Sequence, residues 1–298
     1  MNKHTLKEWM ATTRYWSFPV SAMPVVVAVA YICVKEGVAS IHWVNAFLAL
    51  VGAILFHAAG NLLSDVGDYR SGADNDEAYA VDNLVKHRFE VRDYLRLSCA
   101  LFVLGIAIGL FLTFRCGWPL LIVGVAGFLL TLLYTYSKNI YLSDLLIFLV
   151  FGVLILLGSS VAATGSLHYD VLVLSFPLGL ITLSVLHVNN TVDIATDRAA
   201  GLHTVAMAIG AKRSVRLYQC YQLLPYLFVV VAVLLRWLPW PTVAVLLTLP
   251  VAVGHVRQAG CYFTEGRDAL LSLDQRTAKL QLLFSSTLTL GLVAALWL

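Results

Sequence analysis

Nine long apolar segments run through this chain of 298 residues, and they constrain its fold more than any other feature. Each is about 20 residues long, the length of helix that crosses a bilayer core of roughly 30 Å. Their continuous apolar runs lack the alternation expected of membrane β-barrel strands. The segments are 16–34, 43–62, 94–114, 118–136, 143–164, 170–190, 216–236, 240–257 and 279–298. The sequence therefore predicts an all-α polytopic membrane protein with nine transmembrane helices, numbered here as spans 1 to 9.

The composition agrees with a single membrane-embedded domain over residues 1–298. Hydrophobic residues make up 60% of the chain and charged residues 12%, whereas soluble domains are about 25% charged. The net charge of +3 is small and divided among loops, so it does not make the basic surface that nucleic acid binding requires. We therefore expect a lipid bilayer as partner and no nucleic acid.

The positive charges predict the orientation of the spans. With nine spans, 17 of the 20 lysines and arginines lie on the side of the N-terminal tail. The positive-inside rule makes that side cytoplasmic, which predicts a multi-pass protein of the cell inner (plasma) membrane with its active site facing the cytoplasm. Residues 4–14 are expected to form an interfacial helix, and loops 63–93 and 191–216 are expected to be cytoplasmic caps.

Two acidic runs follow spans 2 and 6 on this cytoplasmic side. The first holds Asn61, Ser64, Asp65, Asp68, Arg70 and Asp74, and the second holds Asn189, Asn190, Asp193, Asp197 and Arg198. If the helices continue past their apolar parts, Asn61, Asp65 and Asp68 share one helical face. The same holds for Asn190, Asp193 and Asp197. The spacing therefore predicts two polar faces at the ends of spans 2 and 6.

Carboxylates without neighbouring His or Cys favour a hard cation, and Mg²⁺ usually binds one or two carboxylates together with substrate phosphates. We therefore predict that Asp65, Asp68, Asp193 and Asp197 hold Mg²⁺ around one diphosphate. The alternative is that the two runs are only solvated helix ends.

Other polar residues near these runs are candidates for substrate binding. Tyr134 and Lys138 are four residues apart at the end of span 4, although Lys138 could instead extend to the membrane interface. Arg70 and Arg198 are either diphosphate ligands or surface cations. His57 and His187 lie about one turn before the runs, where each either contacts an aromatic substrate or packs in the core.

At these residues the sequence resembles the UbiA superfamily of intramembrane aromatic prenyltransferases, which have nine helices, two aspartate-rich motifs and a Tyr-x-x-x-Lys element. Within it, the chain resembles most the branch that prenylates 1,4-dihydroxy-2-naphthoate in menaquinone biosynthesis. The resemblance implies Mg²⁺-dependent transfer from polyprenyl diphosphate to a small aromatic acid, giving demethylmenaquinone. It implies catalytic roles for Asp65, Asp68, Asp193, Asp197 and Lys138, with the other polar residues above binding substrate.

Three positions depart from the pattern of that superfamily. Ser64 precedes Asp65 where an Asn is usual, Val192 replaces an Arg, and Leu202 replaces a Lys. The acceptor therefore stays open among 1,4-dihydroxy-2-naphthoate, 4-hydroxybenzoate, and haem or chlorophyll precursors. An ion-coupled transporter is a rival of another class, but the acids cluster at one membrane face and mark no path across.

Overall fold

The structure is a computed structural model that describes residues 4–74, 83–137 and 140–298. Within these ranges every regular element is helical, which confirms the all-α prediction. Eight helices there are long and apolar enough to cross a membrane. The apolar helix Trp118–Ser137 supplies span 4, so the predicted order of spans is retained.

The helical elements agree with the predicted segments to within a few residues at most ends. The spans are Tyr15–Glu36, Trp43–Ser71, Val91–Cys116, Trp118–Ser137, Ser143–Thr164, Tyr169–Val192, Ala211–Leu234, Trp240–Leu270 and Leu273–Trp297. The shorter helices are Leu6–Thr12, Ile194–Ala199 and Val205–Ile209. Span 8 consists of a 3₁₀ segment, an α-helix and two short turns, which are Trp240–Thr248, Leu249–Gly260, Tyr262–Glu265 and Gly266–Leu270.

Spans 1 and 6 form the centre of the bundle. In their most apolar 18-residue windows 67% and 72% of residues are buried inside the protein, compared with 22% in spans 2 and 3. Their side chains join one hydrophobic core with residues of spans 5, 7, 8 and 9. The other spans keep large apolar side chains on the outside, as a bilayer environment allows.

Spans 5 and 6 approach each other closely at two glycines. A Cβ atom added to Gly152 would lie 3.0 Å from the Cα of Gly179, and one added to Gly179 would lie 2.6 Å from the Phe148 ring. Span 5 is π-helical over this stretch, Phe148–Leu154. Such local widenings of a helix occur often at functional sites, and here the stretch turns Phe151 towards His57 of span 2, with 5.1 Å between ring centroids.

Span 2 extends well beyond the predicted end at residue 62. It continues to Ser71 and ends at Gly72, whose left-handed conformation (φ 78°) forms the C-cap. Asn61, Asp65 and Asp68 therefore lie on one unbroken helix. Span 6 ends at Val192 and the next helix begins at Ile194. The N–H groups of Asp193 and Asp197 still donate to carbonyls four residues earlier, so the predicted spacing survives this break.

The N-terminal helix is shorter than expected, Leu6–Thr12 instead of 4–14. Thr5 and Glu8 form a reciprocal capping box at its start, and the Trp9 ring packs against Phe89 at 4.8 Å between centroids. Its position at the membrane interface stays a prediction, as do the capping roles of loops 63–93 and 191–216.

Candidate active site

A cavity of about 450 Å³ lies among spans 1 to 6 and the start of span 9, and it has one polar end. Most of its wall is apolar, and glycines of spans 2, 3, 4 and 5 contribute to it. Its polar lining includes Arg14, His57, Asn61, Tyr134, Asn189 and Asp274. Since Asn61 and Asn189 belong to the two acidic runs, the cavity joins an apolar chamber to both of them.

Arg14 of the N-terminal segment forms an ion pair with the first acidic run, called the first motif below. Asp65 is buried, and its Oδ1 lies 2.5 Å from Nη2 of Arg14. The charge of Asp65 raises the pKa of the Arg14 guanidinium above its ordinary value, and Asp74 and Asp68 add to this effect. Arg14 therefore stays protonated and pairs directly with Asp65 of the first run.

The second motif also has an arginine from a distant segment. Nη2 of Arg267, in the turn before span 9, lies 3.6 Å from Oδ1 of Asp193. Asp197 and Asn190 are almost fully buried. Val192, where the superfamily pattern has an Arg, packs in an apolar cluster with Leu270 and Leu273. Arg267 therefore brings positive charge to the second motif from outside span 6.

His57 and Asn61 line the cavity and also bind the start of span 1. The Asn61 amide donates to the Thr13 carbonyl at 3.0 Å. The His57 ring lies within 3.0 Å of the Ser21 hydroxyl through Nδ1 and 3.4 Å of the Ser17 hydroxyl through Nε2. These two residues are thus placed both to meet a substrate and to fix the N-terminal junction.

His187 is placed differently from His57. It is fully buried, with Nδ1 2.9 Å from Oδ2 of Asp144 and Nε2 2.8 Å from Oγ of Ser214. These bonds connect span 6 with spans 5 and 7, and His187 is not among the residues described as lining the cavity. Both ring nitrogens face protein partners, which favours the core alternative, and contact of His187 with a substrate stays a prediction.

The remaining predicted residues lie around the two runs. Ser64, Asp68 and Asp74 are partly buried, whereas Arg70 and Arg198 are exposed. Lys138 lies outside the described residues, so its predicted role stays a prediction. Sequence reasoning missed Arg14, Arg267 and Asp274 as members of the site. The count of cytoplasmic charges included both arginines, and Arg14 also belongs to the N-terminal residues that resemble the family, but spacing gave no sign of their partners.

The chemistry of the motifs fits a hard cation. Within the described ranges, no three His, Cys, Asp or Glu side chains converge on one metal position. Mg²⁺ on a diphosphate needs only one or two carboxylates, since phosphate oxygens and water complete its coordination. Asp65 and Asp68 of one run and Asp193 and Asp197 of the other supply such oxygen ligands, so the residues present fit Mg²⁺ with a bound diphosphate.

Fold and site together define a helical membrane protein with an apolar cavity that ends between two acidic motifs. The UbiA prenyltransferase family matches residues 21–269. The mouse UbiA prenyltransferase domain-containing protein 1 is 30% identical over 302 residues, covering 98% of this chain and 86% of the mouse protein. The chain therefore belongs to the UbiA prenyltransferase family and is a prenyltransferase.

Solved structures show the same fold at low sequence identity. The apo UbiA homologue from Aeropyrum pernix K1 has a TM-score of 0.68 at 17% identity, covering 90% of this chain and 97% of that one. The UbiA homologue from Archaeoglobus fulgidus bound to GPP and Mg²⁺ has a TM-score of 0.61 at 11% identity, covering 96% and 99%. Both confirm the bundle architecture predicted from the spans.

Proposed function

We propose that this protein transfers a polyprenyl group from polyprenyl diphosphate to a small aromatic acid, with 1,4-dihydroxy-2-naphthoate as acceptor and Mg²⁺ as cofactor. The observation that carries the proposal is the cavity, in which an apolar wall meets Asn61, Tyr134 and Asn189 at one end. Such a shape suits a donor with a long apolar tail and a charged head. The Archaeoglobus fulgidus homologue with GPP and Mg²⁺ supports this donor class.

The polar end can stabilise a diphosphate leaving group. Asp65, Asp68, Asp193 and Asp197 would hold Mg²⁺, which neutralises charge that develops on the diphosphate when it is bound. Lys138 and Tyr134 donate to the same oxygens in this proposal. The allylic C–O bond breaks, and the diphosphate leaves with the bonding electrons. The apolar wall keeps water from the allylic cation.

The acceptor ring then attacks the allylic cation. His57, Asn61 and Asn189 line the cavity beside the acidic runs, so they are the residues proposed to orient the acceptor. A new C–C bond forms at the ring carbon that bears the carboxylate, and this group leaves as carbon dioxide. The electrons of the broken C–C bond return to the ring and restore aromaticity, so no base is needed to remove a ring proton. The sequence resemblance to naphthoate prenyltransferases supports this acceptor, and 4-hydroxybenzoate is the nearest alternative.

We place the polar end of the cavity at the cytoplasmic face of the cell inner (plasma) membrane, with loops 63–93 and 191–216 as caps. The support is the charge distribution, with 17 of 20 lysines and arginines on this side.

The test is transfer by the purified protein in lipid nanodiscs. Labelled geranyl diphosphate, Mg²⁺ and a panel of aromatic acids should give a prenylated product, with 1,4-dihydroxy-2-naphthoate preferred and labelled carbon dioxide released from its carboxylate. EDTA should abolish the product and Mg²⁺ restore it. A product with 4-hydroxybenzoate alone would replace the acceptor, and full activity in EDTA would contradict the metal requirement.

A further inference from the structure

Arg14 places a guanidinium between the first acidic motif and the cavity. Its Nη2 lies 2.5 Å from Oδ1 of Asp65, and the side-chain exposures are 33% for Arg14 and 5% for Asp65. Arg14 also lines the polar end of the cavity. The carboxylate is therefore shielded from solvent, whereas the Arg14 side chain is one-third exposed and forms part of the cavity wall.

The backbone holds Arg14 in a conformation that residues with a side chain rarely adopt. Its φ of 53° and ψ of 47° lie in the left-handed region, between helix Leu6–Thr12 and the turn that opens span 1. The Ser17 hydroxyl donates to the Arg14 carbonyl at 2.7 Å, and the Asn61 amide donates to the neighbouring Thr13 carbonyl at 3.0 Å. Strain of this kind persists where surrounding contacts fix it, often at ligand sites. The junction thus directs Arg14 at the motif.

We propose that Arg14 is a diphosphate-binding residue that exchanges partners, leaving Asp65 when the prenyl diphosphate and Mg²⁺ bind and donating to the phosphate oxygens instead. The inference rests on the proposed function, because it requires both ligands at this cavity. The planar guanidinium matches two phosphate oxygens. Asp65 then ligates Mg²⁺. This buried carboxylate therefore has a cationic partner throughout, Arg14 before the ligands bind and Mg²⁺ afterwards.

The exchange predicts opposite changes in two affinities when Arg14 is removed. In Arg14→Gln, Asp65 loses the cation that competes with a metal, so Mn²⁺, used as a substitute for Mg²⁺, should bind more tightly without diphosphate. Inorganic diphosphate with Mg²⁺ should bind about tenfold or more weakly, the effect of losing a charge-assisted hydrogen bond. A residue that only supported the fold would weaken both.

The experiment compares Arg14→Gln and Arg14→Lys with the control Lys7→Gln in the full chain in nanodiscs. Lys7 is an exposed cation of the same N-terminal segment. Mn²⁺ binding is followed by electron paramagnetic resonance, and binding of inorganic diphosphate with Mg²⁺ by calorimetry. Arg14→Lys keeps the charge but loses the planar donor pair. It should hold Mn²⁺ nearly as the wild type does and bind diphosphate more weakly, and it carries the test if Arg14→Gln does not fold.

Opposite shifts in Arg14→Gln, with both affinities unchanged in Lys7→Gln, support the exchange. Parallel weakening of both affinities, or diphosphate affinity within twofold of the wild type in both Arg14 variants, overturns it. Wild-type protein that neither binds diphosphate with Mg²⁺ nor transfers a prenyl group would overturn the proposed function itself. Wild-type binding and transfer with unaffected Arg14 variants would overturn only the role of Arg14.

Discussion

His187 is a buried polar residue that connects the end of span 6 with its neighbouring spans. Its ring connects Asp144 of span 5 with Ser214 of span 7, and Ser214 also lies 2.5 Å from the Thr191 hydroxyl. His187 and Thr191 lie six and two residues before Asp193, so their bonds to Asp144 and Ser214 fix the end of span 6 from which the second motif projects. Inside a bundle, such bonds hold spans in register because unsatisfied polar groups are costly there.

We predict that His187→Ala lowers the stability of the bundle by ~1–3 kcal/mol, because it leaves the Asp144 carboxylate and the Ser214 hydroxyl without this partner. Thermal unfolding in detergent measures the change. His42→Ala, at an exposed position before span 2, is the control and should remain near wild type. Equal stabilities of the two variants would contradict the bridging role.

The arrangement of the motif aspartates could be predicted from sequence, because helical spacing places Asp65 and Asp68 on one face of span 2 and Asp193 and Asp197 on one face at the end of span 6. The arginines that neutralise them could not. Arg14 lies 51 residues before Asp65, and Arg267 meets Asp193 from the turn before span 9. Such pairs depend on how distant segments pack, which spacing within one helix does not encode.

Spans 5 and 6 illustrate the same limit for whole elements. Their lengths could be predicted from hydrophobicity. The π-helical stretch Phe148–Leu154 could not, because its residues are as apolar as those of an ordinary α-helical span. The stretch coincides with the close approach of Gly152 and Gly179. The widened stretch thus lies where two helices pack closely, and its Phe151 lies beside His57 at the cavity.

We predict that Gly179→Ala destabilises the protein by ~1–3 kcal/mol, since its methyl group would overlap the Phe148 ring and force a shift in span 5. Gly254→Ala is the matched control, because an added Cβ there meets nothing within 4 Å. Unfolding midpoints of both variants in one detergent test the prediction. A neutral Gly179→Ala would show that the close approach tolerates a side chain.

At the scale of the whole molecule, several spans together line the cavity, and its length limits the donor tail that can fit. Gly124 of span 4 lines it, and a Cβ there meets nothing within 4 Å. Gly124 lies ten residues from Tyr134, or about 15 Å along the helix, and a geranyl tail is shorter than that distance. Gly124→Leu should therefore obstruct only longer donors.

The expected result is that Gly124→Leu keeps kcat/KM for geranyl diphosphate within about threefold and loses about tenfold or more with a long polyprenyl diphosphate, as steric exclusion from an apolar pocket allows. Gly254→Leu, which lies outside the residues described as lining the cavity, should affect neither donor. Equal losses for short and long donors in Gly124→Leu would contradict this path for the tail.

The orientation of the whole bundle is a further prediction from charge. In a variant without native cysteines, an impermeant thiol reagent added outside intact cells should label Ser166→Cys and spare His203→Cys, two exposed positions in successive loops. The excess of Lys and Arg near His203 keeps that side inside. Labelling in the reverse pattern would invert the topology.

The central claim is that the two aspartate motifs act as one unit on one diphosphate. Groups that act as a unit are strongly non-additive in kinetics. The most direct measurement is kcat/KM for Asp68→Ala, Asp193→Ala and the double variant, with Asp82→Ala as a control from the same acidic loop of the sequence.

We predict that each single motif variant loses ~10³-fold or more, because several kcal/mol of charge stabilisation disappear. The double variant should be little worse, and Asp82→Ala should remain near wild type. Near-normal turnover in Asp68→Ala with an inactive Asp82→Ala, or fully additive losses in the double variant, would contradict the claim.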